Sequence, residues 1–296
     1  MRKLPYLAIA FAALMWGLIG FFVKGLSSAG FSAMDIVTIR VTVAAIVLIG
    51  IGIIFYRSYL KINWSDLPLF MGTGLLSIVF FNWCYFTAME KMNIPVAAAL
   101  LYTSPAFVIV LSLLFLKEKL TVYKVIAVVG TITGCTLVAG VYSVQGSSFP
   151  VSSIMIGLGA GLGYALYSIF GKLALRKYHP FTLTIYTFVT ASVFMLPVFF
   201  TGEKVQIGWS GDFYLYALGL GVVPTVLAYF AYSWGLGKVD SSTAAIIATI
   251  EPVAAAFLGV MAFGDTLNIS QTLGIVLILL SVSAVNLPKR KRQLEG

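Results

Sequence analysis

Charged residues are scarce in this sequence, and their scarcity restricts the class of fold. They make up 10% of the 296 residues, whereas hydrophobic residues make up 60% and the mean hydropathy is +1.01. A soluble domain carries roughly 25% charged residues, because it covers its surface with groups that water solvates. This chain has too few charges for such a surface, and we therefore predict a membrane protein.

Cysteine and histidine are also nearly absent, which limits the chemistry available. Cys84 and Cys135 each lie within an apolar run, and neither has a second cysteine or a histidine at a spacing suited to a metal. The one histidine, His179, lies in a polar turn beside Pro180. We therefore predict cysteines that act as small apolar side chains, no metal site and no cofactor. The phosphate-binding pattern G-x-x-x-x-G-K-[ST] is absent too, so ATP is not the expected energy source.

Long apolar runs, in contrast, fill most of the chain. A helix needs about 20 apolar residues to cross a bilayer. Runs of this kind cover residues 4–24, 33–55, 67–89, 94–116, 122–142, 152–175, 181–201, 211–237, 241–263 and 268–287. The gaps between them contain turn residues and leave no room for a soluble domain. We predict an all-α membrane protein with ten transmembrane helices.

Lysine and arginine lie mainly in every second gap, which indicates the orientation in the membrane. With the N-terminus inside, the inside segments hold fifteen of these residues and the outside segments hold three. Because cytoplasmic loops carry an excess of Lys and Arg, we expect a multi-pass protein of the cytoplasmic membrane with both termini in the cytoplasm. The basic tail, residues 288–296, then lies near anionic lipid, and no nucleic acid is expected as a partner.

The two halves of the chain resemble each other when the sequence is shifted by 147 residues. The matched pairs include Tyr85 with Tyr232, Pro105 with Pro252 and Glu118 with Asp265, and one residue more of shift brings Trp16 onto Tyr164. We predict two five-helix repeats, residues 1–142 and 152–287. Because five is odd, the two repeats would enter the membrane from opposite sides around a central cavity, an arrangement common among secondary transporters.

Three short motifs make the chain recognisable. Residues 103–105, Thr-Ser-Pro, begin a stretch that ends in Leu-Lys-Glu-Lys-Leu at 116–120, Glu251-Pro252 begin one that ends in Phe-Gly-Asp-Thr-Leu at 263–267, and residues 13–17 are Ala-Leu-Met-Trp-Gly. In order and spacing they resemble motifs of the drug/metabolite transporter superfamily, EamA type, over essentially the whole chain. The resemblance implies ten helices, two EamA repeats, a central cavity and, often, export of amino acids or other metabolites. One departure is that Asp265, preceded by Gly264, stands where the family often has Glu.

Two charged residues lie inside predicted helices, where a charge is costly unless it is neutralised, paired or hydrated. Glu251 lies near the middle of the ninth run. It would either couple transport to protons or bind a substrate amine, or else stay neutral and cap the backbone that Pro252 frees. Arg40 lies in the second run and could bind a substrate carboxylate, pair with Glu251 or Asp35, or extend outward to the membrane surface.

The remaining site candidates are prolines and polar or aromatic residues at helical spacing. Pro105 and Pro252 occupy matching places in the two halves, and we interpret them as hinges or as simple kinks. The side chains expected to line a cavity are Trp16, Asn82, Tyr85, Tyr102, Ser104, Tyr164, Tyr229, Tyr232 and Glu251. Each of them could instead serve helix packing.

Together these features favour a secondary transporter that works by alternating access. We expect it to export small metabolites, namely amino acids or related amphipathic compounds, with lipid and a small-molecule substrate as partners. Proton coupling stays open, and the alternatives are an uncoupled exchanger or a multidrug-type exporter. An intramembrane enzyme is less favoured, because it would need clustered Asp, His or Cys, and a channel would need rings of like polar groups.

Overall fold

The computed structural model describes residues 3–141, 149–201 and 211–285, and all secondary structure in these ranges is helical. The helices are α1 Leu4–Ser28, α2 Ala33–Phe55, α3 Trp64–Lys91, α4 Ile94–Leu116, α5 Val122–Ala139, α6 Val151–Ala174, α7 Pro180–Phe200, α8 Gly211–Leu236, α9 Ser241–Phe263 and α10 Ile269–Ala284. Helices α1 to α9 are long and apolar enough to cross a membrane, and α10 is a shorter apolar helix. The predicted all-α fold is therefore confirmed, with helix boundaries that differ by a few residues. The basic tail, residues 288–296, lies outside the described residues.

Polar side chains determine where several helices begin. Ser32 begins α2 with a capping box, in which its hydroxyl accepts from the backbone N–H of Asp35 and the Asp35 carboxylate accepts from the backbone N–H of Ser32. Asn93 and Thr121 cap α4 and α5 through their side-chain oxygens. Such caps satisfy N–H groups of the first turn that have no partner within the helix.

Helices α4 and α9 end in the same way, with one residue in the left-handed conformation. Lys117 follows α4 with φ 57°, and Gly264 follows α9 with φ 72°. Glycine adopts this conformation freely, whereas a side chain disfavours it. Lys117 is the one residue other than glycine with a positive φ in the described part of the chain. Contacts made by the residues around it must therefore hold that loop in place.

Three helices are interrupted near the middle. The segments are Leu4–Gly17 and Ile19–Ser28 in α1, Ile94–Leu101 and Ser104–Leu111 in α4, and Ser241–Ala248 and Ile250–Phe263 in α9. Wider π-type turns occur at Gly72–Val79 in α3, Ser112–Leu116 in α4 and Val222–Leu227 in α8. Pro105 and Pro252, the predicted hinges, stand in the first turn of the second segments of α4 and α9, where proline breaks no helical hydrogen bond.

Contacts between loops divide them into two faces of the helix bundle. On the face that carries the N-terminus, the Tyr59 ring stacks on His179 at 4.2 Å, and Lys124 contacts Asp240 at 2.9 Å. On the opposite face, Phe31 stacks on Phe213 at 5.2 Å. The loops that these contacts join lie alternately on the N-terminal face and on the opposite face, as expected of helices that each cross a membrane.

A close approach of backbones holds α1 against α9 at the centre of the bundle. A Cβ atom added at Gly17 would lie 2.5 Å from the Cβ of Ala254 and 2.9 Å from the backbone nitrogen of Ala255. Only glycine permits that distance, since real Cβ atoms do not approach other carbons so closely. The contact places Trp16 beside the segment of α9 that carries Glu251.

Candidate substrate cavity

A cavity of about 220 Å³ lies at the centre of the bundle, between α1, α2, α3, α4, α6, α8 and α9. Its polar and aromatic lining comprises Trp16, Arg40, Asn82, Tyr85, Tyr102, Tyr164, Tyr229 and Glu251. The lining extends to Val23 and Ala33, which flank the α1–α2 loop on the opposite face. The cavity therefore reaches from mid-depth towards the opposite face.

Glu251 lies in the first turn of the second segment of α9, directly after the break at Thr249. Its carboxylate accepts a hydrogen bond from the hydroxyl of Tyr164 at 3.1 Å. The carboxyl side chain is partly exposed, and since it lines the cavity mid-way along the helix, the exposure is to the cavity. The positive end of the helix segment stabilises a negative charge at this position.

At the break in α9, a threonine rather than Glu251 hydrogen-bonds the backbone. This observation bears on whether Glu251 caps the backbone or serves the cavity. The hydroxyl of Thr249 donates to the carbonyl of Ile246 at 2.5 Å, and the hydrogen bond described for the Glu251 side chain is the one it accepts from Tyr164. In α4 the hydroxyl of Thr103 donates to the carbonyl of Leu100 at 2.6 Å. Threonines next to the breaks therefore satisfy carbonyls there, and Glu251 is directed to Tyr164 and the cavity.

Arg40 is 7% exposed and lines the same cavity from α2. Its Nε has no hydrogen-bond partner among the described residues. Asp35 is engaged in the capping box of α2, and Arg40 forms no ion pair within 4.0 Å of it or of Glu251 in the described structure. The Arg40 charge nonetheless acts on the Glu251 carboxylate and on the hydroxyl of Tyr229. The two opposite charges thus share the cavity without touching.

Trp16 supplies a second buried donor without a partner. The residue is 6% exposed, and its indole Nε1 has no hydrogen-bond partner in the part of the chain that is described. Its ring lies against the rings of Tyr229 and Tyr232, with centroids 5.2 and 5.1 Å away, and 6.2 Å from that of Tyr164. Buried donors are normally hydrogen-bonded. Two buried donors without a described partner therefore belong to residues that line this one cavity.

The structure brings most of the predicted site residues together. Trp16, Asn82, Tyr85, Tyr102, Tyr164, Tyr229, Glu251 and Arg40 line the cavity. Ser104 is buried at the start of a helix segment and does not line it. Tyr232 lines a smaller void with Trp16, and its hydroxyl lies 2.7 Å from the Ser168 hydroxyl. Asn82 donates to the carbonyl of Ile78 at 2.7 Å, so part of its amide serves its own helix.

Sequence reasoning missed the apolar part of the lining. Phe81 lies between Tyr85 and Tyr164, with ring centroids 5.9 and 5.6 Å away. An apolar side chain inside an apolar run carries no mark of its position, so no signal could have singled it out. Gly20 and Ala255 also line the cavity, and each follows a predicted site residue by four positions, which places it on the same helix face. In the described ranges, no three His, Cys, Asp or Glu side chains cluster so as to hold a metal ion.

Comparison with known proteins agrees with this architecture. The sequence matches the EamA-like transporter family over residues 3–140 and 151–287. The chain is a member of that family. An uncharacterized transporter of Archaeoglobus fulgidus is 33% identical over 212 residues, which cover 70% of this chain and 74% of that protein. The uncharacterized transporter YxxF of Bacillus subtilis is 23% identical, over 98% of this chain and 91% of its own length.

A solved crystal structure shares the fold of the EamA-family chain. It superposes with a TM-score of 0.79 over 95% of this chain and 96% of that chain, at 17% sequence identity. The family match confirms the resemblance stated from the motifs, and the protein is a multi-pass membrane transporter with a small-molecule substrate.

Proposed function

We propose that the protein is a secondary transporter that exports a small amphipathic zwitterion, such as an amino acid, through the central cavity. The observation that carries the proposal is the pairing of Glu251 and Arg40 on one cavity without an ion pair between them. Charges inside a membrane protein are costly, and they are retained where they bind or move other charges.

The lining suits the two ends of a zwitterion. Arg40 and Trp16 offer unpartnered N–H groups for a carboxylate, and Glu251 offers a carboxylate for an ammonium group. Aromatic rings around them suit the apolar part of the molecule. A volume of about 220 Å³ limits the substrate to a small metabolite.

Matched local geometry supports alternating access between two inverted repeats, residues 1–142 and 152–287. The break at Tyr102–Thr103 corresponds to that at Thr249, and the left-handed Lys117 corresponds to Gly264, at the same shift of 147 residues found in the sequence. Lys117 lies on the N-terminal face and Gly264 on the opposite face. Similar halves in opposite orientation can exchange conformations, so that the cavity opens to one face and then to the other.

The excess of Lys and Arg in the loops of the N-terminal face supports a cytoplasmic location for that face and for both termini, with the protein in the cytoplasmic membrane. The cavity of this structure would then open outward. Export requires the substrate to enter from the cytoplasm in the opposite conformation and to leave in this one.

Glu251 is the proposed coupling group. A proton and a substrate ammonium would compete for the same carboxylate, so that one leaves as the other binds. The Tyr164 hydroxyl, at 3.1 Å, holds the carboxylate towards the cavity while it carries no proton. Exchange of a proton for a substrate on one group is the requirement of antiport.

Flux through proteoliposomes tests the proposal. The purified protein is reconstituted and supplied with a panel of labelled amino acids and amphipathic metabolites, with and without an imposed pH gradient. Accumulation of one compound only in the presence of the gradient, lost in Glu251→Gln, is the expected result. Glu90→Gln is the matched control, because Glu90 is an exposed carboxylate at the end of α3, outside the cavity.

The nearby charge of Arg40 favours a second candidate, facilitated exchange, in which Arg40 rather than a proton balances Glu251. Saturable flux that ignores both the gradient and Glu251→Gln would support this exchanger and refute proton coupling. An absence of flux for every compound, with folded protein, would contradict the substrate class.

A further inference from the structure

A polar contact closes the bundle at its N-terminal face and joins the two halves of the chain. The Glu118 carboxylate, which is 9% exposed, accepts hydrogen bonds from the backbone N–H groups of Ser241 at 2.6 Å and Ser242 at 3.2 Å. The hydroxyl of Ser242 donates to the same carboxylate at 2.7 Å. A residue of the α4–α5 loop thus caps the N-terminus of α9, where N–H groups and the helix dipole attract an anion.

Two lysines reinforce this contact. The ammonium group of Lys124 lies 2.9 Å from an Asp240 carboxylate oxygen and 3.8 Å from a Glu118 carboxylate oxygen. The ammonium group of Lys172, on α6, donates to the backbone carbonyls of Leu236 and Val239, both at 2.7 Å. The α8–α9 turn is therefore bound from the α4–α5 loop and from α6. We name the group of Glu118, Lys124, Asp240, Ser241 and Ser242 the Glu118 clamp.

The described residues of the opposite face form no corresponding contact, although the same shift relates them to the members of the clamp. Asp265, the counterpart of Glu118, is exposed and makes no side-chain hydrogen bond or ion pair with any described residue. Ser241 and Ser242 correspond to Ile94 and Pro95. Pro95 has no N–H group to donate, and Ile94 has no hydroxyl.

The remaining members of the clamp also differ on that face. Lys124 corresponds to Gln271, whose backbone N–H donates to the Asn268 side chain at the start of its own helix. Asp240 corresponds to Asn93, whose side chain caps α4. The two faces are therefore unequal in the contacts they can form.

We infer that Glu118 is a gating residue, whose clamp holds the N-terminal face closed and biases the resting protein towards the state that opens to the opposite face. The inference rests on the proposed alternating access. For the cavity to open to the N-terminal face, Glu118 must release the N-terminus of α9. Because Pro95 and Gln271 stand where the clamp has Ser242 and Lys124, the opposite face lacks these donors, and the free protein returns to the state closed at the N-terminal face.

Spin labels at Lys119→Cys and Lys238→Cys test the inference, because both side chains are exposed on the loops that the clamp joins. Cys84 and Cys135 are buried, and a sample without the introduced cysteines measures any background labelling. Distances between the labels are measured by pulsed electron paramagnetic resonance in lipid nanodiscs, without substrate and without a pH gradient. The protein that carries only the two labelled cysteines should give one short distance between the labels.

In Glu118→Ala we expect a second, longer distance, with the ratio of open to closed protein raised at least tenfold, which corresponds to about 1.4 kcal/mol. Glu118→Gln, which keeps one acceptor, and Ser242→Ala, which removes one donor, should give smaller shifts in the same direction. If Glu118→Ala does not fold, the label distances in Glu118→Gln and Ser242→Ala test the inference. Asp265→Ala is the matched control and should leave the distance unchanged.

Unchanged distances in Glu118→Gln and Ser242→Ala, or an equal shift in Asp265→Ala, would overturn the inference. Since the labels report conformation without substrate or gradient, this result is independent of the flux of Glu251→Gln. The flux experiment can therefore refute proton coupling while the label distances support the Glu118 clamp. The label distances can likewise refute the clamp while the flux supports proton coupling.

Discussion

Arg40→Gln should abolish the preference for substrates that carry a carboxylate. In the structure Arg40 is 7% exposed, its Nε has no described partner, and it lines the cavity opposite a carboxylate that it does not touch. A buried cation that lines the cavity without an ion pair to any described carboxylate is suited to bind a substrate anion. Glutamine keeps an amide donor near the position of the arginine Nε and removes the charge, although it is shorter than arginine by the terminal carbon and two nitrogens.

The magnitude follows from the burial of the pair. Removal of one partner from a buried, hydrogen-bonded charge pair costs about 2–5 kcal/mol of binding free energy. That range corresponds to roughly 30-fold to several-thousand-fold in affinity. An exposed pair would give less than about 1 kcal/mol, so the size of the loss also reports whether the substrate carboxylate is buried.

The assay measures how strongly each unlabelled compound inhibits the flux of the best labelled substrate. Each amino acid in the panel is compared with the amine that lacks its carboxylate, in the original protein, in Arg40→Gln and in Arg40→Lys. The original protein should prefer the amino acid by at least about 30-fold, the lower limit for a buried pair, and Arg40→Gln should lose this preference. Arg40→Lys should retain part of it, because it keeps the charge without the planar, forked donors.

Arg57→Gln is the control for this prediction, because Arg57 is an exposed arginine on the N-terminal face. The reasoning is refuted if the original protein transports amine and amino acid equally well. It is also refuted if Arg40→Gln lowers the flux of both by the same factor, since a uniform loss indicates a structural role.

Two further outcomes concern stability. Gly17→Ala should lower the melting temperature in detergent, because its Cβ would overlap Ala254 at 2.5 Å and overpacking costs about 1–3 kcal/mol, whereas Gly20→Ala, with nothing within 4 Å, should not. An equal effect of both substitutions would contradict the packing of α1 on α9. The free energy of unfolding should fall as the pH falls through 6.5, because burial lowers the pKa of His179 in the folded protein from the usual 6.5. The unfolded chain then takes up the proton more readily than the folded protein, which favours unfolding. Melting curves between pH 8 and pH 5 should show a smaller loss in His179→Asn, and an identical loss would assign the acid sensitivity to other groups.

Much of the secondary structure could be predicted because it depends on local sequence. Each transmembrane helix needs a run of apolar residues, and these runs stand out against the polar gaps. Ser32 and Asp35 begin α2 through a contact three residues apart, and the prolines at 105 and 252 stand in the first turn of the segments that follow the breaks in α4 and α9. The depth of Glu251 followed from its place within such a run.

The composition of the cavity could be predicted only in part. Polar residues such as Asn82 and Tyr164 were recognisable, because a polar side chain rarely faces lipid. Phe81 was not, and Ser104 and Tyr232 were expected at the cavity although neither lines it. Whether a residue faces the cavity or a neighbouring helix depends on how each helix is rotated, and an apolar run does not encode that rotation.

The sequence by itself determined the membrane class, the ten helices, the family and the two charges within the helices, since each of these follows from composition or from residues close together in the chain. Only the tertiary structure decided that Arg40 and Glu251 share one cavity without pairing, that Asp35 is occupied elsewhere, and that Glu118 caps a helix 123 residues further along the chain. Such contacts depend on the packing of helices from both halves. That packing arises from many weak and close-fitting contacts between distant residues, and no single stretch of sequence specifies them.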